Sequence, residues 1–234
     1  MDFFYSIALG VLQGLTEFIP VSSSGHLVVA QGLIPGFRPP AVLFDALLHL
    51  GTLFAVVFYY KKELALILSS LLPKGVNSND RKKKEGRRLL WFLILACIPT
   101  GIIGLLFREQ VEKLFTLPRP VGFMLLVTGA FLAVTDRVES KGKGLEGMKV
   151  WKALLIGLFQ GIAVIPGISR SGITIASGII LGLRRDFAME FSFLLAIPAV
   201  FAAVILETTA HMPAIVRDVE LIGYLLGMGA AGFV

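Results

Sequence analysis

Residues 12–27 read LQGLTEFIPVSSSGHL, and residues 159–174 read FQGIAVIPGISRSGIT. Both stretches are mostly apolar until Pro20 or Pro166, after which Ser and Gly cluster. Proline removes a backbone donor and clashes with the preceding turn, so a helix entering either stretch stops there. The separation from Gln13 to Gly25 equals that from Gln160 to Gly172, and each copy is followed by an acid at the head of an apolar run. These acids are Asp45 in FDALLHLGTLFAVV and Glu190 in EFSFLLAIPAVFAAV. The chain is therefore read as an internal duplication of a broken helix followed by unbroken ones.

Composition places the duplication in lipid. Hydrophobic residues make up 56% of the 234 and charged residues 16%, with a mean hydropathy of +0.82. A soluble domain carries about 25% charge, so too few charges are available here to coat a soluble surface. Full spans need about 20 apolar residues; Leu43 to Tyr60, Leu89 to Phe107, Val121 to Asp136 and Phe187 to Leu206 serve, and a fifth starts near Ile222. The broken regions, Phe3 to Ile34 and Ala153 to Leu183, are read as re-entrant helix pairs. Backbone groups freed by a break at membrane depth are tolerated only where they are buried in protein or line a wet cavity. The segment ahead of the first break has no basic start and is not expected to be a cleaved signal. The lone cysteine, Cys97, lies in an apolar run, which excludes disulfide chemistry.

The basic residues set the orientation. Of 22 Lys and Arg, nine lie between Lys61 and Arg88, five between Arg137 and Lys152, and two are Arg184 and Arg185. Clusters of this kind mark cytoplasmic segments rather than a nucleic-acid face. The first broken region then enters from outside and the second from inside. The expected fold is all-α: a polytopic membrane protein of inverted-topology repeats, with about six transmembrane helices and two re-entrant pairs. Residues 1–234 form one integral membrane domain, with repeat one at 1–136, repeat two at 150–234, a joining segment at 137–149 and a basic cytoplasmic loop at 61–88.

Inverted repeats place a site where the breaks meet, with half-helix N-termini aimed at an anion. Ser22, Ser23, Ser24 and Gly25 open one half-helix, and Ser169, Arg170, Ser171 and Gly172 open the other, with Thr174 one turn on. Such starts offer N–H groups, hydroxyls and close backbone approach to a phosphate. An arginine at membrane depth costs about 3 kcal/mol, so Arg170 calls for an anion: Glu17, Glu190 or a ligand phosphate. Glu17, beside a cation or Arg170, stays ionised and could hold a divalent metal. Ser23 and His26 are spaced to share a helix face as nucleophile and base, although Ser22 and Ser24 serve equally on spacing. His49, four residues after Asp45, reads as a buried polar contact or a site residue.

QGLTEFIPVSSSGH at Gln13 to His26 and PGISRSG at Pro166 to Gly172 resemble the signatures of the undecaprenyl pyrophosphate phosphatase family, the bacitracin-resistance type, and the resemblance extends over the chain. It implies a multi-pass phosphatase of the plasma membrane. Such an enzyme cleaves a C55 polyprenyl diphosphate to the monophosphate that carries envelope glycan precursors, with Mg²⁺ or Ca²⁺ as cofactor. Carried over, the (E/Q)xxxE motif falls on Gln13 and Glu17, the essential serine on Ser23, the histidine on His26 and the arginine on Arg170. Some members carry a carboxylate in place of Gln13, so here the metal is expected to rest on Glu17 and the substrate phosphates. The family pattern also continues past Val234, where a sixth span is expected. The expected partners are the polyprenyl diphosphate and membrane lipids, not nucleic acid, and self-association stays open. The competing reading is a transporter or flippase that uses the same anion site without hydrolysis.

Overall fold

The computed structural model describes residues 3–35, 41–72, 80–138, 142–215 and 221–234. Among the described residues every regular element is helical: α1 (Phe3–Phe18), α2 (Ser23–Leu33), α3 (Ala41–Tyr59), α4 (Lys61–Leu71), α5 (Asp80–Leu106), α6 (Arg108–Leu114), α7 (Pro118–Asp136), α8 (Val150–Ile162), α9 (Arg170–Ile180), α10 (Arg185–Ile215) and α11 (Leu221–Phe233). Four of these, α3, α5, α7 and α10, are long and apolar enough to cross a membrane. Their exposed side chains include Phe58, Leu106, Phe123, Leu126 and Phe201, an apolar surface that lipid rather than water covers.

Both expected breaks are present. The α1 helix ends at Phe18 and α2 starts at Ser23; α8 ends at Ile162 and α9 starts at Arg170. At 1.5 Å per residue, the eleven residues of α2 or of α9 reach about 16 Å. That is half of a hydrocarbon core of about 30 Å, so neither helix spans. The basic segment 61–88 differs from the expected loop. Lys61–Leu71 is helical and α5 begins inside the segment, while residues 73–79 lie outside the described residues, as do 139–141 of the joining segment.

The inversion follows from which helices run alongside each other. Gly10 of α1 packs on Gly227 and Ala230 of α11, and Gly14 packs on Ala231 and Val234. Numbers rise together, so the two helices are parallel. In the same way Gly157 of α8 meets Ala96 of α5, and Gly161 meets Ile103. The α11 helix also runs parallel to α3, Gly227 meeting Leu48 and Gly232 meeting Gly51. Since Tyr60, just past α3, stacks on Phe193 near the start of α10, whereas Arg108, just past α5, pairs with Glu207 farther along α10, α3 and α5 run oppositely, and α1 and α8 approach the middle of the protein from opposite faces.

The two repeats exchange helices to build their cores. Leu9, Leu27, Phe44, Leu48 and Tyr224 form one buried cluster, drawn from α1, α2, α3 and α11. Leu93, Ala96, Ile156, Phe191 and Leu195 belong to the other, drawn from α5, α8, α9 and α10. Leu9 and Ile156, Phe44 and Phe191, and Leu48 and Leu195 are pairs 147 positions apart, the offset of Gln13 from Gln160. Each core takes three helices from one repeat and is completed from the other, by α11 in the first and by α5 with Ile67 of α4 in the second. The same offset corrects one expectation: the counterpart of Asp45 is Ser192, not Glu190.

Candidate active site

The two breaks touch. A Cβ on Gly25 would lie 2.8 Å from the Gly167 Cα, and one on Gly172 would lie 3.1 Å from the Pro20 carbonyl oxygen. Glycine at both positions lets backbone meet backbone where the repeats cross. Each half-helix then starts with the same cap. Ser22 Oγ accepts from the Gly25 N–H at 3.3 Å, and Ser169 Oγ accepts from the Gly172 N–H at 3.0 Å. The remaining first-turn N–H groups, on Ser23, Ser24, Arg170 and Ser171, have no acceptor within their own helices. Ser22 is the one non-glycine residue with positive φ among the described residues, at 69°, a strain of the kind that collects at functional sites.

Glu17, in the last turn of α1, organises the polar groups. Its Oε1 accepts from Arg170 Nη2, and its Oε2 accepts from the Ser23 hydroxyl at 2.5 Å and from Gln13 Nε2 at 3.0 Å. His49 Nε2 lies 3.4 Å from both Glu17 Oε2 and Ser23 Oγ. Of the two protein carboxylates offered to Arg170 by the sequence, Glu17 takes it. Arg170 Nη1 is buried and has no hydrogen-bond partner among the described residues, which leaves it a donor to spare.

These groups end a cavity of about 410 Å³ whose walls are otherwise largely apolar. Glu17, Ser22, Ser23, Ser24, Ser169, Arg170 and Ser171 line it, together with Asp45 and His49 of α3. It runs past Gly104 and Leu105 to Arg108, Val111 and Phe115 at α6 and to Glu207 of α10. Because α5 leads from the basic segment to α6, the cavity reaches the face opposite the basic one. At that end Arg108 pairs with Glu112 at 2.7 Å and with Glu207 at 3.2 Å.

Five residues of the expected site stand elsewhere: Gln13, Gly25, Gly172, Thr174 and His26. Gln13 is buried beneath Glu17, and its Oε1 has no partner among the described residues. Gly25 and Gly172 lie at the crossing of the breaks. Thr174 is buried, with Oγ1 2.5 Å from Ser192 Oγ and 2.7 Å from the Arg170 carbonyl oxygen; it ties α9 to α10 instead of lining the cavity.

The expected meeting of Ser23 and His26 does not occur. His26 Nδ1 donates back to the Ser22 carbonyl oxygen at 2.8 Å, and His26 is outside the cavity lining. Ser23 instead turns to Glu17 and His49. The histidine beside Ser23 comes from 26 positions away, a distance at which helix spacing carries no information. The available signal was a histidine within an apolar span.

No group of three His, Cys, Asp or Glu side chains is placed to hold a metal among the described residues. The Glu17 carboxylate, the unpartnered Gln13 Oε1 and the Ser23 hydroxyl are all oxygen donors. Such a set fits a hard divalent cation, Mg²⁺ or Ca²⁺, over a soft one. With one carboxylate among the three, most of the charge facing such a cation would come from a phosphate ligand.

Fold and site together define a multi-pass membrane protein whose two broken helices cross at a buried arginine and its carboxylate partner. Residues 6–234 match the family described as bacitracin resistance protein BacA, and the chain belongs to it. It is 44% identical over 213 residues to the undecaprenyl-diphosphatase of Desulfosudis oleivorans, covering 88% of this chain and 77% of that protein. The undecaprenyl-diphosphatase of Desulforapulum autotrophicum is 46% identical over 214 residues, with the same coverage. That of Alkaliphilus metalliredigens is 39% identical over 240 residues, covering 99% of this chain and 86% of that protein.

Proposed function

We propose that the protein is a phosphatase of the plasma membrane. It hydrolyses undecaprenyl diphosphate to the monophosphate and phosphate, returning the lipid carrier to envelope glycan synthesis and conferring resistance to bacitracin. The observation that carries this reading is the Ser23 hydroxyl on Glu17 beside Arg170, whose Nη1 is unpartnered, at the end of an apolar cavity. The cavity suits a polyprenyl chain, and the half-helix starts suit its diphosphate.

Arg170 and the first-turn N–H groups hold the terminal phosphoryl group and balance its charge, which is most of what phosphoryl transfer requires. Ser23 Oγ attacks the terminal phosphorus. The bond from phosphorus to the bridging oxygen breaks, the lipid monophosphate leaves, and Glu17 Oε2, 2.5 Å away, receives the hydroxyl proton. Water then releases phosphate from Ser23. Glu17 would hold Mg²⁺ or Ca²⁺ with the substrate phosphates, and the ion would supply neutralising charge there. By the charge rule the basic face is cytoplasmic, so the cavity opens outward.

A transporter of the same lipid shares the inverted repeats and Arg170 but has no use for a serine on a carboxylate. The test is phosphate release from a long-chain polyprenyl diphosphate by detergent-purified protein, with and without EDTA. Ser23→Ala is expected to bind the lipid and lose hydrolysis, whereas no release from lipid-binding wild-type protein would favour transport.

A further inference from the structure

Ser23 has one hydroxyl hydrogen and two acceptors near it, Glu17 Oε2 at 2.5 Å and His49 Nε2 at 3.4 Å. The other ring nitrogen of His49, Nδ1, lies 2.7 Å from the Asp45 backbone carbonyl oxygen. A carbonyl oxygen only accepts, so Nδ1 carries the hydrogen, and whenever the ring is neutral Nε2 presents a lone pair. Glu17 Oε2 already accepts from Ser23 and Gln13, which occupies both of its lone pairs and leaves no use for a third donor. The neutral ring of His49 therefore faces Ser23 as an acceptor. Its place is fixed from behind, because Gln31 of α2 donates to Asp45 Oδ1 at 2.5 Å one turn earlier on α3.

We propose that His49 is a positioning residue for Ser23, a role that rests on the phosphatase reading above. A bound diphosphate competes with Glu17 for Arg170, and the carboxylate shifts with its partner. The Ser23 hydrogen is then shared between Glu17 Oε2 and His49 Nε2, and this second acceptor keeps the Oγ lone pairs turned into the cavity until the proton goes to Glu17. His26 has no part in this, since its ring is tied to the Ser22 carbonyl group and stands outside the cavity.

The test is steady-state phosphate release from a polyprenyl diphosphate by the full chain in detergent. Wild type, His49→Ala and His49→Gln are compared, with His49→Ala also placed in the Ser23→Ala background. Loss of orientation at the attacking group is worth about 100-fold in rate. His49→Ala is expected to lower kcat by about that factor with KM nearly unchanged. Gln, whose Oε1 can accept the same hydrogen, is expected to recover most of the loss. In the Ser23→Ala background, His49→Ala is expected to cost nothing further. Wild-type kcat in His49→Ala, equal losses in the Ala and Gln variants, or an added loss on top of Ser23→Ala would overturn the proposal. His49→Leu, closer in volume, replaces His49→Ala if that variant does not fold. An inactive wild type would instead sink the phosphatase reading, an outcome that no variant effect imitates.

Discussion

Arg170, the first residue of α9, donates Nη2 to Oε1 of Glu17 in the last turn of α1, so an ion pair ties one repeat to the other where the helices break. Both side chains are largely buried. Breaking such a pair by removing one partner costs about 3 to 5 kcal/mol, because the other charge stays buried and uncompensated. Glu17→Ala and Arg170→Ala should therefore each destabilise the protein more than the double variant that carries both changes, although all three should lose turnover. Thermal unfolding in detergent checks this. A double variant less stable than either single one would mean that the pair contributes net stability.

The breaks were legible because proline and clustered small residues interrupt apolar runs twice at one spacing. The identity of the partner to Ser23 was not. His26 lies within one turn of Ser23, but the half-helix start turns Ser23 back toward Glu17 and holds the His26 ring on a backbone carbonyl group. His49 reaches Ser23 only because α3 returns beside α2, a tertiary fact that no local periodicity encodes. The role of Thr174 was hidden in the same way: residues one turn apart on α9 face α10 or the cavity depending on the packing of α10. The helical start of the basic segment was also missed, since Lys61 and Lys62 dominate its composition while Leu64 and Ile67 supply the buried side.

The repeat symmetry predicts matched sensitivities. A Cβ at Gly10 would overlap the Gly227 carbonyl oxygen, and one at Gly157 would overlap that of Ala96. Overpacking of this kind typically costs 1 to 3 kcal/mol, so Gly10→Ala and Gly157→Ala should lower the unfolding temperature by similar amounts. Gly101 and Gly129 have nothing near a built Cβ. Ala at either should be neutral or slightly stabilising, because helical glycine is about 1 kcal/mol worse than alanine. Equal behaviour of all four variants would contradict the parallel packing of α1 on α11 and α8 on α5.

The two caps are alike in hydrogen bonding but not in backbone. Ser22 has φ 69° and Ser169 has φ −70°. Losing a serine cap to alanine costs about 1 kcal/mol, and losing it to glycine costs only a few tenths. At Ser22 the left-handed backbone adds a penalty of about 1 to 2 kcal/mol that glycine escapes. The stability gap between Ala and Gly variants should thus be wider at Ser22 than at Ser169, by about 1 kcal/mol. Equal gaps in denaturation midpoints would remove the argument for strain at the first break.

At the cavity mouth the charge of Arg108 is shared between Glu112, on the same helix, and Glu207 of α10. The Glu112 contact is an (i, i+4) pair with both side chains over a third exposed, so it contributes only about 0.3 to 0.5 kcal/mol to stability. Its larger effect is on the potential met by an incoming diphosphate. Glu112→Gln leaves Arg108 less neutralised and should lower KM several-fold at low ionic strength, with no change in unfolding temperature. The gain should fade as salt is raised, because charges near a solvent-exposed mouth are screened beyond about 10 Å at 0.1 M salt. A KM that does not respond to Glu112→Gln at any ionic strength would show that Arg108 serves only to hold α6 against α10.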